Sequence, residues 1–325
     1  MEKLFGATST TDDVLDGVDL VGKSFLVTGV SAGLGVETAR ALVERGAAVL
    51  GTARDITKAE AATSAIHKRG SGSGGSLQLM QMDLASLQSV RHCAETLLNN
   101  KQEFDAIIAN AGVMACPQGR TQDGFETQFG TNHLGHFLFI NRIASLMKSG
   151  GRLIILSSSG HRISDVELED PNFERTPYDR YVAYGRSKTA NSLFAVEFDH
   201  RHKHKGVRAA ALHPGAIQTE LSRYMTQEDL DLQVRSINEH LSMLNKPALM
   251  FKTVPQGAAT TVWATVVAAP EQIGGRFCED CQVAEIDESE ESFSGVRAYA
   301  LDRESAKALW MKSEEMVGER FDNHL

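Results

Sequence analysis

The stretch TGVSAGLG at residues 28–35 decides the fold prediction. It follows a short apolar run at 24–28 and precedes a helical pattern at 33–46, so it occupies a strand-to-helix turn. Its glycines let the chain turn tightly and let the backbone approach a bound anion without a Cβ in the way. The N–H groups and dipole of the following helix favour negative charge at the same place. The turn therefore predicts a phosphate-binding site at the end of the first strand.

Short apolar runs alternate with amphipathic segments along the rest of the chain. Runs that are apolar enough for strands of a covered parallel sheet lie at 24–28, 47–52, 77–82, 104–109, 153–157 and 207–212. Helical periodicity marks the segments 33–46, 55–68, 86–100, 123–149 and 180–205. Strand–helix alternation of this kind predicts a single doubly wound α/β domain of the Rossmann type, and we expect a seven-stranded parallel sheet.

Composition and charge exclude several functional classes. The 325 residues carry a net charge of -9 at pH 7 and no long basic run, which argues against nucleic-acid binding. The apolar stretches are far shorter than a bilayer span, and no targeting segment is visible. Cys278 and Cys281 resemble half of a zinc site, but no second pair accompanies them, so we predict no metal. These features predict a cytoplasmic protein without an integral membrane segment.

The residues after the second predicted strand discriminate between two dinucleotides. An acidic residue there binds the ribose 2′-hydroxyl of NAD, whereas a basic residue accommodates the 2′-phosphate of NADP. Here the strand ends in GTARD at 51–55. Arg54 has a planar guanidinium that can grip a phosphate, which predicts NADP(H) as the cofactor, although the neighbouring Asp55 argues for NAD.

The domain prediction follows from these signals. A dinucleotide-binding and catalytic domain is expected over 21–318, after an acidic N-terminal extension at 1–20 and before a tail at 319–325. The stretch at about 221–252 is longer than a strand-to-helix connection needs and carries many apolar residues. It predicts an inserted helical lid over a hydrophobic pocket. The run GSGSGGS at 70–76 predicts a flexible loop.

The glycine turn is also compatible with a hydrolase. GVSAG at 29–33 fits the G-x-S-x-G pattern of the nucleophile elbow, in the required strand–turn–helix setting, and Ser31 would then be an acyl-transfer nucleophile. That elbow normally follows several strands rather than the first. A hydrolase would also leave the later motifs unexplained, so it is the remote alternative.

The segment YGRSK at 184–188 carries the chemistry. It places a phenol and an ammonium four residues apart on one face of the predicted 180–205 helix. Carbonyl reduction needs a proton donor at the oxygen, and a free tyrosine with a pKa of about 10 is a poor acid–base at neutral pH. A cation beside Tyr184 would stabilise the phenolate, so we expect Lys188 to lower the pKa of Tyr184.

Two further polar features precede this helix. Serines 157–159 end a predicted strand, where a hydroxyl can bond a substrate oxygen. Asn132 falls inside a predicted helix, where asparagine is mildly unfavourable, which indicates a role other than helix formation. The four histidines at positions 133, 136, 161 and 213 do not converge in sequence, and we expect core or capping roles for them.

Together these motifs resemble the short-chain dehydrogenase/reductase superfamily. TGxxxGxG, the Asp-Leu pair at 83–84, NAG at 110–112, Asn132, the strand-end serine, YxxxK and HPG at 213–215 occur in the order of that superfamily. Five segments resemble sequences of the branch that contains retinol dehydrogenases, WW-domain oxidoreductases and chloroplast translocon-associated members. They are AGVMACP, TNHLGHF, SSSGHR, AYGRSK and LHPGAIQTEL. One departure is ANAG in place of the usual NNAG. No membrane helix precedes the domain, so retinoid activity is not implied.

The resemblance implies roles for individual residues. Tyr184 is expected as the acid–base, and Lys188 as its pKa partner and ribose anchor. Ser158, the second serine of the strand end, would orient the substrate oxygen, and Asn132 would support a proton relay. The residues expected to bind the cofactor are Gly29, Ser31, Gly33, Leu34, Gly35, Arg54, Asp83, Leu84, Asn110, Ala111, Gly112, Tyr184, Lys188, Pro214, Gly215, Ile217 and Thr219.

The sequence therefore predicts an NADP(H)-dependent oxidoreductase that interconverts an alcohol and a ketone or aldehyde by hydride transfer. The predicted lid favours a hydrophobic small-molecule substrate. The resemblance also implies pairing of subunits through helices, into a homodimer or homotetramer. The alternatives are an NADP(H)-binding regulatory or sensor protein of the same fold and a reductase of conjugated C=C bonds.

Overall fold

Strands and helices alternate along the chain, and their bounds can be given for most of it. A computed structural model describes residues 5–245, 247–290 and 292–321, without the side chains of residues 67–71. The strands are β1 Ser24–Thr28, β2 Ala48–Ala53, β3 Ser76–Gln81, β4 Phe104–Ala109, β5 Met147–Leu156, β6 Arg208–His213, β7 Arg276–Glu279 and β8 Gln282–Val283. Residues 1–4 of the predicted extension, 246 of the predicted lid and 322–325 of the predicted tail lie outside the described residues.

The helices lie between these strands and after them. They are α1 Thr11–Val14, α2 Gly33–Glu44, α3 Ile56–Ser73, α4 Leu87–Asn100, α5 Thr127–Phe129, α6 Gly135–Ile143, α7 Arg180–His202, α8 Gln227–Met243, α9 Val254–Val262, α10 Pro270–Ile273 and α11 Arg303–Val317. Most of the longer ones begin at a side chain that accepts a hydrogen bond from the first turn, as Asp179 does for α7. Within the described ranges, no helix has the length and apolar character that crossing a bilayer requires.

The strands form one sheet in the order β3-β2-β1-β4-β5-β6-β7-β8. Strands β1 to β7 are parallel, and β8 pairs antiparallel with β7. The doubly wound α/β prediction is confirmed, but the predicted count of seven strands is wrong. The eighth strand has two residues and follows a turn at Asp280 and Cys281, both with positive φ. Such turns are normally marked by Asn-Gly or Asp-Gly, and neither pair is present here, so the turn could not be predicted.

The two faces of the sheet are covered by different helices. In β1, Leu26 packs into a cluster with α4, α6, α7 and α11, whereas Phe25 and Val27 pack into a cluster with α1, α2 and α9. Ile107 and Ile108 of β4 divide between the same two clusters. Successive side chains of a strand point to opposite faces, so a strand covered on both sides is apolar throughout.

Two helical predictions differ from the observed elements. The segment predicted as one helix over 123–149 contains a wide π turn, Gly130–Leu134, and its last residues already belong to β5. The π turn adds a residue to the helix and is typical of functional sites. Helix α3 continues to Ser73 and ends at Gly74, whose φ is 77°, so the predicted loop at 70–76 begins too early.

The N-terminal residues that the structure describes pack onto the face of the sheet that α2 and α9 cover. Val14 and Leu15 are buried in the cluster that includes α2. Arg40 of α2 donates to Asp12 at 2.9 Å and to Glu37 at 2.7 Å. These contacts account for part of the acidic composition of the first twenty residues.

The predicted lid contains one long helix, α8, none of whose residues is buried. Arg180, at the start of α7, pairs with Asp229 in the first turn of α8 at 3.0 Å. At the other end of the lid, the amide of Lys252 donates to the carbonyl of Ala216 at 2.9 Å, and its ammonium pairs with Asp280. The segment is thus attached to the domain near both of its ends.

Candidate active site

A cavity of about 2610 Å³ lies at the carboxyl ends of β1, β2, β4, β5 and β6. Parallel α/β sheets bind ligands at this edge, where the strand order reverses between β1 and β4. A single small-molecule site usually measures ~300–1,000 Å³, so the cavity has room for a dinucleotide and a substrate together. Every residue predicted for the site lines it except Gly35 and Asn132, which lie behind its wall.

The glycine turn after β1 forms a cradle that side chains would fill. Gly29 has a φ of 78°, and a Cβ there would lie 2.8 Å from the Cβ of Ala111. A Cβ on Gly35 would lie 2.1 Å from the carbonyl oxygen of Gly29. The residue that precedes α2, Ala32, provides no side-chain hydrogen bond to the first turn. The turn therefore fits the pyrophosphate of a dinucleotide, with free N–H groups at a helix N-terminus.

Thr28 joins this turn to the loop after β4. Its Oγ1 accepts hydrogen bonds from the amides of Asn110 and Ala111, both at 3.0 Å. The side chain of Asn110 donates to the carbonyl of Thr28 at 2.8 Å. Because two amides donate to the hydroxyl, its own proton is left for Nε2 of His136, 2.9 Å away.

Asn132 is buried in the π turn and connects three elements. Its side chain accepts from the amide of Val113 at 2.8 Å and donates to the carbonyl of the same residue at 2.9 Å. It also donates to Oγ of Ser187, on α7, at 2.9 Å. Its own carbonyl accepts from Nδ1 of His136 at 2.9 Å. A Cβ on Gly112 would lie 3.2 Å from Oδ1 of Asn132 and 3.7 Å from Nζ of Lys188, so the asparagine and the lysine are close neighbours.

Tyr184, Lys188 and Ser158 meet where β5 ends beside α7. The ammonium of Lys188 lies 5.6 Å from the centre of the Tyr184 ring and donates to the carbonyl of Leu156 at 2.9 Å. A Cβ on Gly160 would lie 2.7 Å from the Tyr184 ring and 3.4 Å from Oγ of Ser158, so the serine and the tyrosine are close neighbours. Oγ of Ser158 accepts from the amide of Gly160 at 3.0 Å. The structure therefore brings the predicted acid–base, cation and orienting serine together at one wall of the cavity.

Burial dominates the electrostatics of Tyr184 and Lys188. Burial raises the pKa of Tyr184 to about 12, and the hydrogen bond with Ser158 only partly opposes this. Burial also lowers the pKa of Lys188 to about 8. Desolvation sets the direction of this shift in the chain by itself, and the lowering of the Tyr184 pKa by Lys188 stays a prediction. Tyr184 carries its proton at neutral pH.

Asp55, which argued for NAD, has a structural use. It precedes α3, and its carboxylate accepts a hydrogen bond from the amide of Lys58 at 3.0 Å, as a helix cap. Arg54 is exposed and lines the cavity. The ammonium of Lys58 pairs with Glu220, across the cavity from α3.

The part of the cavity beyond Tyr184 has an apolar border. Six of its large apolar side chains are exposed to solvent: Ile163, Leu232, Met243, Met250, Phe251 and Phe293. Four of the six, from Leu232 to Phe251, belong to the predicted lid. Exposed apolar side chains grouped at one opening are typical of a binding site for an apolar ligand.

Several residues with a role in this arrangement escaped the sequence analysis. A Cβ on Gly160 would lie 2.7 Å from the Tyr184 ring, so only glycine lets the ring pack there. His136 links the glycine turn to Asn132, and His161 donates to the carbonyl of Ser158 at 2.7 Å. The contacting residues are distant in sequence, so these contacts could not be predicted. The one sequence signal for a role in the site was that Gly160, His136 and His161 each lie in or next to a motif.

Comparison with known proteins shows the family. The family model for short chain dehydrogenases matches residues 23–230. The chain is 35% identical to retinol dehydrogenase 14 of Mus musculus over 313 residues, covering 91% of this chain and 86% of that protein. It is 36% identical to the short-chain dehydrogenase/reductase prx1 of Penicillium roqueforti over 322 residues, covering 96% and 91%. The chain belongs to the short-chain dehydrogenase family, in its retinol dehydrogenase-like branch, which confirms the resemblance.

Solved structures agree with this fold. An uncharacterized protein from Mycobacterium paratuberculosis superposes with a TM-score of 0.72 at 30% identity, covering 97% of this chain and 99% of that one. The angucycline C-6 ketoreductase LanV with bound NADP superposes with a TM-score of 0.63 at 24% identity, covering 81% and 95%. As a member of its family, the chain is an oxidoreductase of alcohol and carbonyl groups that uses a nicotinamide cofactor.

The hydrolase alternative gains no support from the site. Ser31 lies in the glycine turn and lines the cavity. Three buried histidines each bond to groups other than Ser31: His133 to Ser313, His136 to Thr28 and Asn132, and His161 to Ser158. None of these three is placed as a base for Ser31.

Proposed function

We propose that this protein interconverts an apolar alcohol and its ketone or aldehyde with NADP(H), using Tyr184 as the acid–base. The observation that carries the proposal is the meeting of Tyr184, Ser158 and Lys188 at one wall of the cavity. A bound nicotinamide would supply or accept the hydride at the carbonyl carbon. The carbonyl oxygen then needs a proton, and the Tyr184 hydroxyl holds one at neutral pH.

The neighbouring side chains of Tyr184 divide the remaining work. Ser158 already accepts from the amide of Gly160, so its own proton can turn to the substrate oxygen and orient it. Lys188 lies close enough to the Tyr184 ring to stabilise the phenolate that forms when the proton leaves. Asn132 holds the loop after β4 against α7 beside Lys188.

The direct test is a screen of ketones and alcohols with NADPH and NADP, following the absorbance of the reduced nicotinamide. We expect oxidation of NADPH by a carbonyl compound and its reverse with the matching alcohol. Product analysis distinguishes this from reduction of a conjugated C=C bond. A failure of every ketone, aldehyde and alcohol, while NADPH binds, would favour the regulatory alternative.

The preference for NADP(H) is predicted to depend on Arg54. We expect Arg54→Ala to raise the KM for NADPH about 10- to 100-fold, because a charge-assisted bond to the 2′-phosphate contributes about 1.5–3 kcal/mol. The KM for NADH should change little, since that cofactor lacks the phosphate. Initial rates with each cofactor at a saturating carbonyl concentration measure the effect.

Lys58 provides the matched control for this measurement. It is a neighbouring cation, but its ammonium is paired with Glu220. We expect Lys58→Ala to change the KM for NADPH less than Arg54→Ala does. If Arg54→Ala raises the KM for NADH and the KM for NADPH by the same factor, Arg54 does not recognise the 2′-phosphate. The assignment of NADP(H) as the cofactor is then wrong.

The substrate is predicted to be bulky and apolar. We expect the catalytic efficiency, kcat/KM, to be about 10-fold or more higher for multi-ring or long-chain ketones than for small polar ketones, because each buried CH₂ contributes about 0.8 kcal/mol. The lid side chains at the cavity border should carry part of this preference. Met250→Ser should therefore raise the KM for the bulky substrate and leave that for a small ketone unchanged.

A second methionine makes the comparison specific. Met311 is 49% exposed, against 77% for Met250, and lies on α11, outside the cavity wall. Met311→Ser should leave both KM values unchanged. Equal turnover of bulky and small ketones by the unaltered protein would contradict an apolar substrate.

A further inference from the structure

His161 occupies a fully buried position directly behind the serine of the proposed site. Its Nδ1 lies 2.7 Å from the carbonyl oxygen of Ser158, and its Nε2 lies 3.1 Å from the amide nitrogen of Arg297. The ring is 4.8 Å from the ring of Phe277, on β7. The imidazole therefore lies between the loop after β5 and a segment that is 136 positions further along the chain.

The two backbone partners fix the protonation of this imidazole. A carbonyl can only accept, so Nδ1 carries the proton and donates to Ser158. A backbone amide can only donate, so Nε2 carries none. The neutral tautomer with the proton on Nδ1 is the one that satisfies both contacts. Burial and the nearby guanidiniums of Arg162 and Arg297 lower the pKa of His161 to about 4, in agreement with a neutral ring.

The bond from His161 bears on where the Ser158 hydroxyl points. Ser158 begins a turn in which its Oγ accepts from the amide of Gly160 and its carbonyl accepts from the amide of His161 at 3.1 Å. The imidazole adds a second, shorter bond to the same carbonyl. On the other side, the amide of Ser159 donates to Nδ1 of His213 at 3.1 Å. Two histidines thus hold the backbone of the serine turn from different directions.

We infer that His161 is a positioning residue that sets the orientation of Ser158 toward the substrate oxygen, and that the amide of Arg297 keeps its ring in the tautomer this requires. The inference rests on the proposed function, because it gives Ser158 its role. His161 does not line the cavity, so it acts through the serine turn alone.

Two amide substitutions separate the contacts of His161. The side-chain nitrogen of asparagine falls near the position of Nδ1, so His161→Asn can still donate to the Ser158 carbonyl. The amide of glutamine reaches the position of Nε2, so His161→Gln can still accept from Arg297 but loses the bond to Ser158. We expect His161→Gln to lower kcat for carbonyl reduction about 10- to 100-fold, since a small misplacement of a catalytic group can cost about 10²-fold. His161→Asn should retain most of kcat.

The measurement combines kcat, the dissociation constant of NADPH and a double-mutant cycle with Ser158→Ala. The dissociation constant should match that of the unaltered protein in both variants, which shows that they are folded. His161→Gln in the Ser158→Ala background should cause no further loss of kcat. Equal kcat in the two amide variants, or a loss that adds fully to that of Ser158→Ala, would overturn the inference. If Ser158→Ala alone leaves kcat unchanged, the proposed function is at fault instead.

Discussion

Tyr184→Phe is expected to lower kcat for carbonyl reduction about 10³-fold, while NADPH binds as before. General acid catalysis by a positioned side chain contributes about 10²- to 10⁴-fold, and this substitution removes only the acidic hydroxyl. The phenyl ring keeps its packing against Gly160, so the wall of the cavity retains its shape. Single-turnover rates with NADPH and a reactive ketone, together with the dissociation constant of NADPH, measure the two effects separately.

Tyr178→Phe is the matched control for Tyr184→Phe. Tyr178 is also partly buried and donates to the carbonyl of Cys116 at 2.9 Å, but it lies outside the cavity wall. Loss of the Tyr178 hydroxyl should lower the melting temperature slightly, because its hydrogen bond contributes about 1 kcal/mol to stability. It should leave kcat within about twofold, because the residue lies outside the cavity wall. A protein that only senses NADP(H) would show no turnover to lose. Retention of kcat in Tyr184→Phe would exclude this tyrosine as the acid.

The motifs were predictable from the sequence because each one is contiguous: the glycine turn and NAG follow β1 and β4, and YxxxK lies on α7. TGVSAGLG, NAG and YxxxK contain in a few residues the turn, the polar group and the helix that a dinucleotide site needs. The parallel topology then places them at the same edge of the sheet, as the cavity shows. Local chemistry and fold therefore predicted the same region of the molecule.

The features that escaped prediction depend on contacts between distant segments. An aspartate at position 55 could face a ribose or cap α3, and the residue type does not distinguish the two. The geometry of the turn before α3 decides between them. The direction of the pKa change at Tyr184 depends on how deeply α7 is buried, and that depth comes from the packing of α11 and the loop after β5. The partner of His161 is the backbone of Arg297, which has no sequence signature.

Lys188→Met is expected to abolish most turnover and at the same time stabilise the protein. Burial lowers the pKa of Lys188 from its ordinary value of 10.5 to about 8, which means that the folded state disfavours the charge. Each pKa unit corresponds to about 1.4 kcal/mol, so at pH 7 the variant should gain about 2–3 kcal/mol in the free energy of unfolding. The carbonyl of Leu156 keeps a donor, because Asn191 also binds it at 3.0 Å. Turnover should fall about 10²-fold or more, since the phenolate of Tyr184 loses its cation.

The pH dependence of the free energy of unfolding tests whether the buried charge of Lys188 destabilises the folded protein. An unfolded chain holds a proton on this lysine up to about pH 10.5, whereas the folded chain releases it near pH 8. The unfolded state therefore binds more protons between these values, and the free energy of unfolding should rise with pH across that window. Denaturant unfolding at pH 7 and pH 10 should show a rise that Lys188→Met lacks and that Lys203→Met, at an exposed lysine, retains. The same rise in Lys188→Met would place the titrating group elsewhere. A fall in its stability at pH 7 would mean that the buried ammonium stabilises the fold, which would contradict the lowered pKa from which the prediction starts.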